Sequence, residues 1–277
     1  MGKEPDLRSL APTLCEIFGV RRPALCRADP IEDIVKSIEG SPAVMLVVLD
    51  GFGERAFEVL GSSCPNFSWI YGEHSMRLRS VHPPKTPVAF SSIATGVARS
   101  VHGIDVKTDP LDAETIFDIF SQNGISTCVA GRKSGSPAHL FADLCRYTAI
   151  AESNLDKDVL GLTLEILEDA QPQFTMLQFL DIDKASHSSG PFGEEASRAV
   201  RGSDWRLGAL MKAVAELDGS MIVCSDHGQH EVEIPENGVR VKGKHDGSSE
   251  WDFLIPLGWC SSAELKQAAK DADLGTE

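Results

Sequence analysis

At 277 residues, the chain is long enough for one large α/β domain with a well-buried core, or for two small domains. Hydrophobic residues make up 42% of it and charged residues 24%, as in an ordinary globular protein. The 26 Lys and Arg residues against 41 Asp and Glu give a formal net charge of −15, which argues against binding of nucleic acid polymers or anionic membranes. A small substrate fits better, and a phosphate group would need local positive charge from metal ions or from a few Lys and Arg.

Short β-rich runs alternate with helical patterns along the chain. The predicted strands are residues 43–51, 126–131, 173–181, 219–226 and 251–258. The predicted helices are 30–39, 87–95, 112–123, 156–170, 194–217 and 261–272, the last opened by Ser262 with Glu264 soon after. This alternation predicts a mainly parallel sheet covered by helices. No repeat, low-complexity tract or linker marks a boundary, so a single domain over residues 1–277 is expected.

The cysteines and the N-terminus indicate a cellular compartment. The seven Cys residues are odd in number, scattered and without a CxxC pair, so a disulfide framework is not expected. The start MGKEPDLRS lacks the apolar segment of a signal peptide, and the longest aliphatic run, Val44 to Leu49, is too short to cross a bilayer. We therefore expect a cytoplasmic protein, and the sequence says nothing about its oligomeric state.

Seven side chains suited to hard or borderline metal ions stand beside turns or at the ends of apolar runs. In a parallel sheet, ligands gather at the carboxyl ends of the strands, where several of these residues fall. Three Asp, three His and one hydroxyl suffice for two metal ions and one nucleophile. The seven are Asp50, Thr86, Asp183, His187, Asp226, His227 and His245.

Each of these residues also has an ordinary structural explanation. Asp50 in VVLDGFG could be a turn residue, and a His such as His245 in a Gly-flanked loop is usually a surface residue. Asp183 and His187, four apart, would share one face of a helical turn, which could simply be a solvated face. Thr86, followed by Pro87, could cap a helix, or its hydroxyl could use the helix N-terminus and a nearby metal as a nucleophile.

Taken in order, the motifs resemble the alkaline phosphatase superfamily, and most closely its nucleotide pyrophosphatase and type I phosphodiesterase branch. The resemblance runs from about residue 43 to 258. It is carried by LDGFG, by KTP with SxxTG ending at Gly96, by HGI at 102–104, by DxxxHxxGP from Asp183 to Pro191, by SDHG at 225–228 and by the final GKH. It implies a three-layer α/β/α sandwich with a mainly parallel central sheet.

The resemblance also implies a two-metal site and its chemistry. One ion would be held by Asp183, His187 and His245, and the other by Asp50, Asp226 and His227 beside Thr86. Mixed Asp and His ligation suits zinc, with manganese as the main competitor. Thr86, activated by metal, would attack phosphorus to give a phospho-threonine, which activated water then hydrolyses.

The chain departs from the family pattern in three places. Pro87 follows the nucleophile where nucleotide-cleaving relatives have an aromatic residue, and Lys107 stands where they have an Asn that binds phosphoryl oxygens. Only 18 residues separate His227 from His245, so no large cap domain is expected and the pocket should be open. Residues 7–23 resemble the segment that family members place after the final His, which suggests a circular rearrangement; the alternative is an ordinary amphipathic helix ending at Gly19.

These departures leave several functions open. The first hypothesis is a phosphodiesterase-like hydrolase with Thr86 as nucleophile. A phosphonate hydrolase or phosphomonoesterase is the rival, because Lys107 would suit a more negatively charged substrate, with Arg132 and Lys133 able to add to the pocket. A phosphate-moving mutase is disfavoured by the missing cap, and a sulfatase by the lack of a Cys in a CxPxR setting. A protein of another class, which binds metal or phosphate without turnover, also remains.

Overall fold

The computed structural model describes residues 4–72, 74–235 and 239–274. The strands are β1 (Val44–Leu49), β2 (Ser75–Arg79), β3 (Thr127–Arg132), β4 (Tyr147–Ala151), β5 (Phe174–Phe179), β6 (Ser220–Cys224), β7 (His230–Pro235), β8 (Val239–Lys244) and β9 (Leu254–Cys260). The helices are α1 (Leu10–Ile17), α2 (Glu32–Ile38), α3 (Glu54–Ala56), α4 (Pro65–Ile70), α5 (Thr86–Thr95), α6 (Arg99–His102), α7 (Ile116–Gln122), α8 (Ser136–Phe141), α9 (Asp156–Asp169), α10 (Asp181–Ser189), α11 (Glu194–Glu216) and α12 (Ser262–Leu274).

A seven-stranded sheet forms the centre of the molecule, in the order β2-β9-β6-β1-β5-β3-β4. The strands from β6 to β4 in that order are parallel, whereas β9 runs antiparallel to β6, and β2 runs antiparallel to β9. All six residues of β1 are buried, as are those of β5, because helices cover both faces of the sheet. The mainly parallel sheet predicted from the sequence is therefore confirmed.

Alternate residues of β1 point into two separate hydrophobic cores. Val44, Leu46 and Val48 join the core shared with helices α1, α2, α5, α7 and α8. Met45, Val47 and Leu49 join the opposite core, which includes side chains of α4, α9, α11 and α12. This arrangement is the three-layer α/β/α sandwich that the resemblance implied.

The short segment between His227 and His245 forms a hairpin of β7 and β8 in place of a cap. The hairpin packs on α10, where the side chain of Val241 lies close to Gly190. Within the described residues, this part of the chain therefore adds no cap domain, as the sequence predicted.

The N-terminal segment lies at the β2–β9 end of the sheet. Asp6 bridges to Arg79 of β2, and the buried leucines of α1 share a core with Ile255 of β9. Gly19 follows α1 with a φ of +64°, the left-handed conformation that ends a helix readily when the residue is Gly. The assignment of residues 1–277 to a single domain stays a prediction, and residues 1–3 and 275–277 lie outside the described residues. The circular rearrangement also stays a prediction.

The start of the last helix and the state of the cysteines can be compared with the sequence predictions. Helix α12 begins at Ser262, as predicted, and the preceding residue, Ser261, caps it: the Glu264 carboxylate accepts from the Ser261 backbone N–H at 2.8 Å. The seven cysteines are all free. Among the described helices, none has the length and apolar character needed to span a membrane.

Candidate metal centre

The carboxyl ends of three adjacent strands carry most of the candidate residues. Asp50 follows β1, and Asp226 and His227 follow β6. Asp183 lies in the first turn of α10, which begins two residues after β5 ends. Because β6, β1 and β5 are neighbours and parallel, these side chains meet at one edge of the sheet.

Asp183, His187 and His245 form one half of the centre. The Nε2 atom of His187 lies 3.3 Å from Asp183 Oδ1 and 3.1 Å from His245 Nε2, and His245 Nε2 lies 3.7 Å from the same carboxylate oxygen. Helix α10 places Asp183 and His187 on one face, as their spacing predicted. His245 follows β8 and has a side chain only 18% exposed, so it is not an ordinary surface histidine.

Asp50, Asp226 and His227 form the other half, and all three are buried. His227 Nε2 lies 3.5 Å from Asp50 Oδ1 and 3.4 Å from Asp226 Oδ2. Neither of these two carboxylate oxygens has a hydrogen-bond partner. Two buried, unpartnered carboxylate oxygens facing one imidazole nitrogen are costly unless a cation sits among them.

Thr86, the first residue of α5, lies beside Asp50 and His227. Its Oγ1 is 3.5 Å from Asp50 Oδ2 and 3.4 Å from His227 Nε2. The residue at the cap position is Lys85, and no side chain caps the helix, so the capping explanation for Thr86 was wrong. The His227 ring stacks on His245 at 3.8 Å between centroids, which brings the two halves together.

The three histidines share one tautomer. In each, Nδ1 faces a backbone carbonyl: that of Gly243 at 3.0 Å for His187, of Pro84 at 2.7 Å for His245, and of Gly228 at 3.1 Å for His227. A carbonyl only accepts, so Nδ1 carries the proton and Nε2 offers its lone pair to the centre. Backbone partners of this kind orient metal-binding imidazoles in proteins.

The loop that carries His245 is tied to the segment after His227 through Asp252. The Asp252 carboxylate, which is fully buried, accepts from the Gly247 backbone N–H at 2.9 Å and from His230 Nδ1 at 2.6 Å. The Asp252 carbonyl accepts from the Gly228 N–H at 2.9 Å. One residue therefore fixes the chain next to a histidine of each half.

Crowding of acids in a buried place shifts their pKa values. Burial raises the pKa of Asp226 to about 7, and burial together with the nearby Asp226 and Asp183 carboxylates raises that of Asp50. Burial also raises the pKa of Asp183, but the His187 hydrogen bond and the nearby imidazoles outweigh it, so the net shift is downward. Burial lowers the pKa of His245 to about 4. Burial thus favours the neutral forms of Asp50, Asp226 and His245, and a divalent cation would reverse that preference for the two carboxylates.

The centre includes two glutamines that the sequence patterns did not single out. Gln178 Nε2 donates to Asp50 Oδ2 at 2.6 Å, and Gln229 Nε2 donates to Asp183 Oδ1 at 2.7 Å. Gln178 interrupts the apolar strand FTMLQFL and points from β5 into the buried centre, and Gln229 directly follows SDHG. A polar residue inside an apolar strand and a polar residue directly after a metal-binding motif were the two sequence features that could have indicated these glutamines.

The three basic residues predicted near the pocket differ in burial and in their partners. Lys107 is partly buried, and its Nζ donates to the Ser134 carbonyl. Lys133 is exposed and pairs with Glu152 at 2.8 Å. Arg132 is fully buried and binds Asp156 and also Asp181, the first residue of α10. The suggestion that Arg132 adds to the pocket was therefore wrong.

With this geometry in view, comparison with known proteins decides the family. The family model for type I phosphodiesterase / nucleotide pyrophosphatase matches residues 44–124 and 126–259. The chain belongs to that family. This confirms the relationship that the motif order indicated.

Individual relatives are distant. Human ectonucleotide pyrophosphatase/phosphodiesterase family member 1 is 26% identical over 222 residues, covering 69% of this chain and 24% of that protein. The chain spans about a quarter to a third of the length of the curated relatives it matches.

Solved structures share the fold. Human ectonucleotide pyrophosphatase/phosphodiesterase 5 superposes with a TM-score of 0.61 at 15% identity, covering 82% of this chain and 93% of that one. Phosphonoacetate hydrolase from Sinorhizobium meliloti 1021, solved with phosphonoformate, gives a TM-score of 0.56 at 19% identity, covering 72% and 59%. At these identities the likeness is one of fold.

Proposed function

We propose that this chain is a metal-dependent phosphoester hydrolase of the phosphodiesterase and nucleotide pyrophosphatase type, with Thr86 as covalent nucleophile. The observation that carries the proposal is the convergence of Thr86 with three carboxylates and three imidazole Nε2 atoms at one edge of the sheet. Family membership and the names of the relatives support the reaction type.

The side chains fit two divalent ions. One ion would be held by Asp183, His187 and His245, and the other by the three buried residues Asp50, Asp226 and His227 with the Thr86 hydroxyl. The unpartnered oxygens of Asp50 and Asp226 support this occupancy, since an ion would satisfy both. Zinc suits the mixed Asp and His set, and manganese is the competitor.

In the proposed reaction, Thr86 Oγ1 attacks phosphorus in line with the leaving oxygen. A bond from Oγ1 to phosphorus forms as the bond to the leaving group breaks, and the hydroxyl proton passes to solvent. Water then attacks the phospho-threonine, which breaks the Oγ1–P bond and restores Thr86. When bound, the two ions supply the positive charge that lowers the pKa of the attacking groups and neutralises the phosphoryl oxygens.

Replacement of Thr86 tests this proposal. Thr86→Ala is expected to reduce hydrolysis of a bis-aryl phosphodiester by roughly 10³-fold or more, because no other hydroxyl takes its place. Thr86→Ser, which keeps the hydroxyl, should retain measurable turnover. Metal content, measured by atomic emission, should stay the same in both variants. Unchanged hydrolysis by Thr86→Ala would remove Thr86 from the mechanism.

A phosphonate or phosphomonoester substrate is the second candidate, and the position of Lys107 favours it. Lys107 Nζ binds the carbonyl of Ser134, and the next residue, Gly135, packs against Gln178, whose amide binds Asp50. This series of contacts supports a position of the Lys107 charge near the Asp50 half of the centre. A solved neighbour that carries phosphonoformate supports the same substrate class.

Side-by-side assays separate the two candidates. Phosphonoacetate, an aryl phosphomonoester and a bis-aryl phosphodiester would be compared with wild type, Lys107→Gln and the matched control Lys133→Gln. If Lys107 contacts substrate, Lys107→Gln should lower kcat/KM for the dianionic substrates by about 10-fold and spare the diester. Equal effects of both lysine variants would contradict a role for Lys107.

A binding protein without turnover is the remaining alternative. It predicts that wild type retains bound metal but hydrolyses none of the three substrates. Turnover that depends on Thr86 would exclude it.

A further inference from the structure

Each half of the candidate metal centre has one glutamine amide bound to one of its carboxylates. Gln178 donates to Asp50 at 2.6 Å and Gln229 donates to Asp183 at 2.7 Å. Both glutamines are buried, and they come from different segments, β5 and the turn after β6. Each half therefore has an amide donor from a different part of the chain. Gln178 binds the Asp50 oxygen that does not face His227, whereas Gln229 binds the Asp183 oxygen that also faces His187 and His245.

Glycines leave room for both amides. A Cβ atom on Gly135 would come within 2.6 Å of Gln178 Oε1. Cβ atoms on Gly51 and Gly243 would come within 2.4 Å of Gln229 Nε2 and 2.2 Å of its Oε1. Because a side chain at any of these three positions would displace an amide, the local backbone is shaped around the two glutamines.

The direction of each amide follows from its partner. A carboxylate only accepts hydrogen bonds, so the NH₂ group faces it and the amide oxygen faces away. In both residues that oxygen, Oε1, has no hydrogen-bond partner. A buried acceptor without a partner is unfavourable. Both glutamines nevertheless keep their NH₂ groups on the carboxylates, which indicates that these two hydrogen bonds determine the orientation of the amides.

A neutral donor suits this position. Lys or Arg would also orient a carboxylate, but its positive charge would repel a divalent ion a few ångströms away. An amide fixes the carboxylate without adding charge. At Asp50 it occupies Oδ2 and leaves the unpartnered Oδ1 facing His227 Nε2.

We propose that Gln178 and Gln229 are positioning residues, each of which orients the carboxylate ligand of one ion and sets the affinity of that ion alone. The inference rests on the proposed two-ion function. Gln178 would govern the ion at Asp50, and Gln229 would govern the ion at Asp183.

Zinc affinity, measured by competition with a chromophoric chelator, tests the inference without relying on activity. Gln178→Met and Gln229→Met remove the donor while keeping the length of the side chain. Each is made alone and in a His187→Ala background, which is designed to leave only the ion at Asp50. Thr175→Val, at a buried and unpartnered hydroxyl on β5, is the control for loss of a buried polar group on the same strand as Gln178.

We expect each Met variant to weaken one of the two ions by about 10- to 100-fold, the usual cost of losing an outer-shell partner. In the His187→Ala background, Gln178→Met should weaken the remaining ion, whereas Gln229→Met and Thr175→Val should not. Urea unfolding of the metal-free variants checks that they fold. If a Met variant does not fold, the corresponding Asn variant, shorter by one methylene, withdraws the amide while keeping a polar group.

The outcomes separate this inference from the proposed function. If wild type binds two ions and the glutamine variants weaken both equally or neither, the inference is overturned while the two-ion function stands. If wild type binds fewer than two ions, both fail together.

Discussion

Removal of the Asp156 carboxylate should destabilise the protein through the start of α10. Asp156 is fully buried, and its Oδ1 accepts from Arg132 Nε at 2.7 Å. Its Oδ2 accepts from the backbone N–H groups of Leu180 and Asp181 at 2.9 and 2.8 Å. Asp181 in turn binds both Arg132 and Arg206, so two carboxylates balance two guanidinium groups.

The expected loss follows from what Asp156→Ala leaves behind. The Arg132 guanidinium stays buried with only Asp181 as a charged partner, and removal of one member of a buried pair typically costs about 3–5 kcal/mol. Two backbone N–H groups also lose their acceptor, at about 1–3 kcal/mol each if they find no water. These terms overlap and the N–H groups are only partly buried, so we expect about 4 kcal/mol for Asp156→Ala. Asp156→Asn, which keeps one acceptor oxygen, should cost less.

Urea unfolding of the metal-free protein, followed by circular dichroism, measures this loss. Glu194→Gln is the matched control, because the Glu194–Arg198 pair lies on the surface with side chains 84% and 62% exposed. It should change the free energy of unfolding by less than about 0.5 kcal/mol. A loss below about 1 kcal/mol for Asp156→Ala would refute the reasoning, since it would mean that water or Asp181 fully replaces the carboxylate.

Three further predictions concern stability. Burial lowers the pKa of His102 to about 4, so the unfolded chain binds this proton at a higher pH than the folded protein does. Stability is therefore complete above about pH 6.5 and falls toward pH 4, by about 2–3 kcal/mol at pH 4.5. Urea unfolding of His102→Gln should lack that share of the pH dependence, and an unchanged profile would contradict it. Gly161→Ala in α9, where there is open space for a Cβ atom, should raise the free energy of unfolding by about 0.5–1 kcal/mol. Gly258→Ala, whose Cβ would lie 2.4 Å from the Ile70 carbonyl oxygen, should lower it by about 1–3 kcal/mol. Changes of the same sign in both variants would argue against this packing. Zinc at about 100 times its Kd should stabilise wild type by about 2.7 kcal/mol in thermal unfolding, and His245→Ala should lose part of that gain; no shift on adding zinc would count against a metal site.

The sequence was most informative where function falls on regular structure. Asp50 and Asp226 each follow an apolar run, and such runs in an alternating α/β chain become parallel strands whose ends meet. The four-residue spacing of Asp183 and His187 needed only one helical turn to bring them together. The order of the motifs therefore predicted the family and the grouping of seven side chains.

What the sequence concealed depends on tertiary contacts. Strands β2 and β4 were missed because SMRLR and YTAIA are short, partly exposed edge strands without a strong apolar run. Arg132 is the last residue of the buried strand β3, where a basic side chain could face a pocket or a carboxylate, and only the position of Asp156 on α9 decides between them. The role of Gln178 likewise becomes visible only when the fold brings Asp50, at the end of the neighbouring strand, within reach of its amide.

Different elements of the fold carry the two halves of the centre. The β7–β8 hairpin explains how the half at Asp183 forms when no large cap lies between His227 and His245. The residues at Asp50 stand on adjacent central strands and are positioned as the sheet forms. Those at Asp183 stand on α10 and on the loop after β8, which the sheet does not hold directly. The hairpin joins them, because the Gly243 carbonyl of β8 accepts from His187 and the chain then delivers His245 two residues later. A two-stranded segment thus supplies both the orientation of one candidate ligand and the position of another, so the grouping of these side chains does not depend on an inserted module.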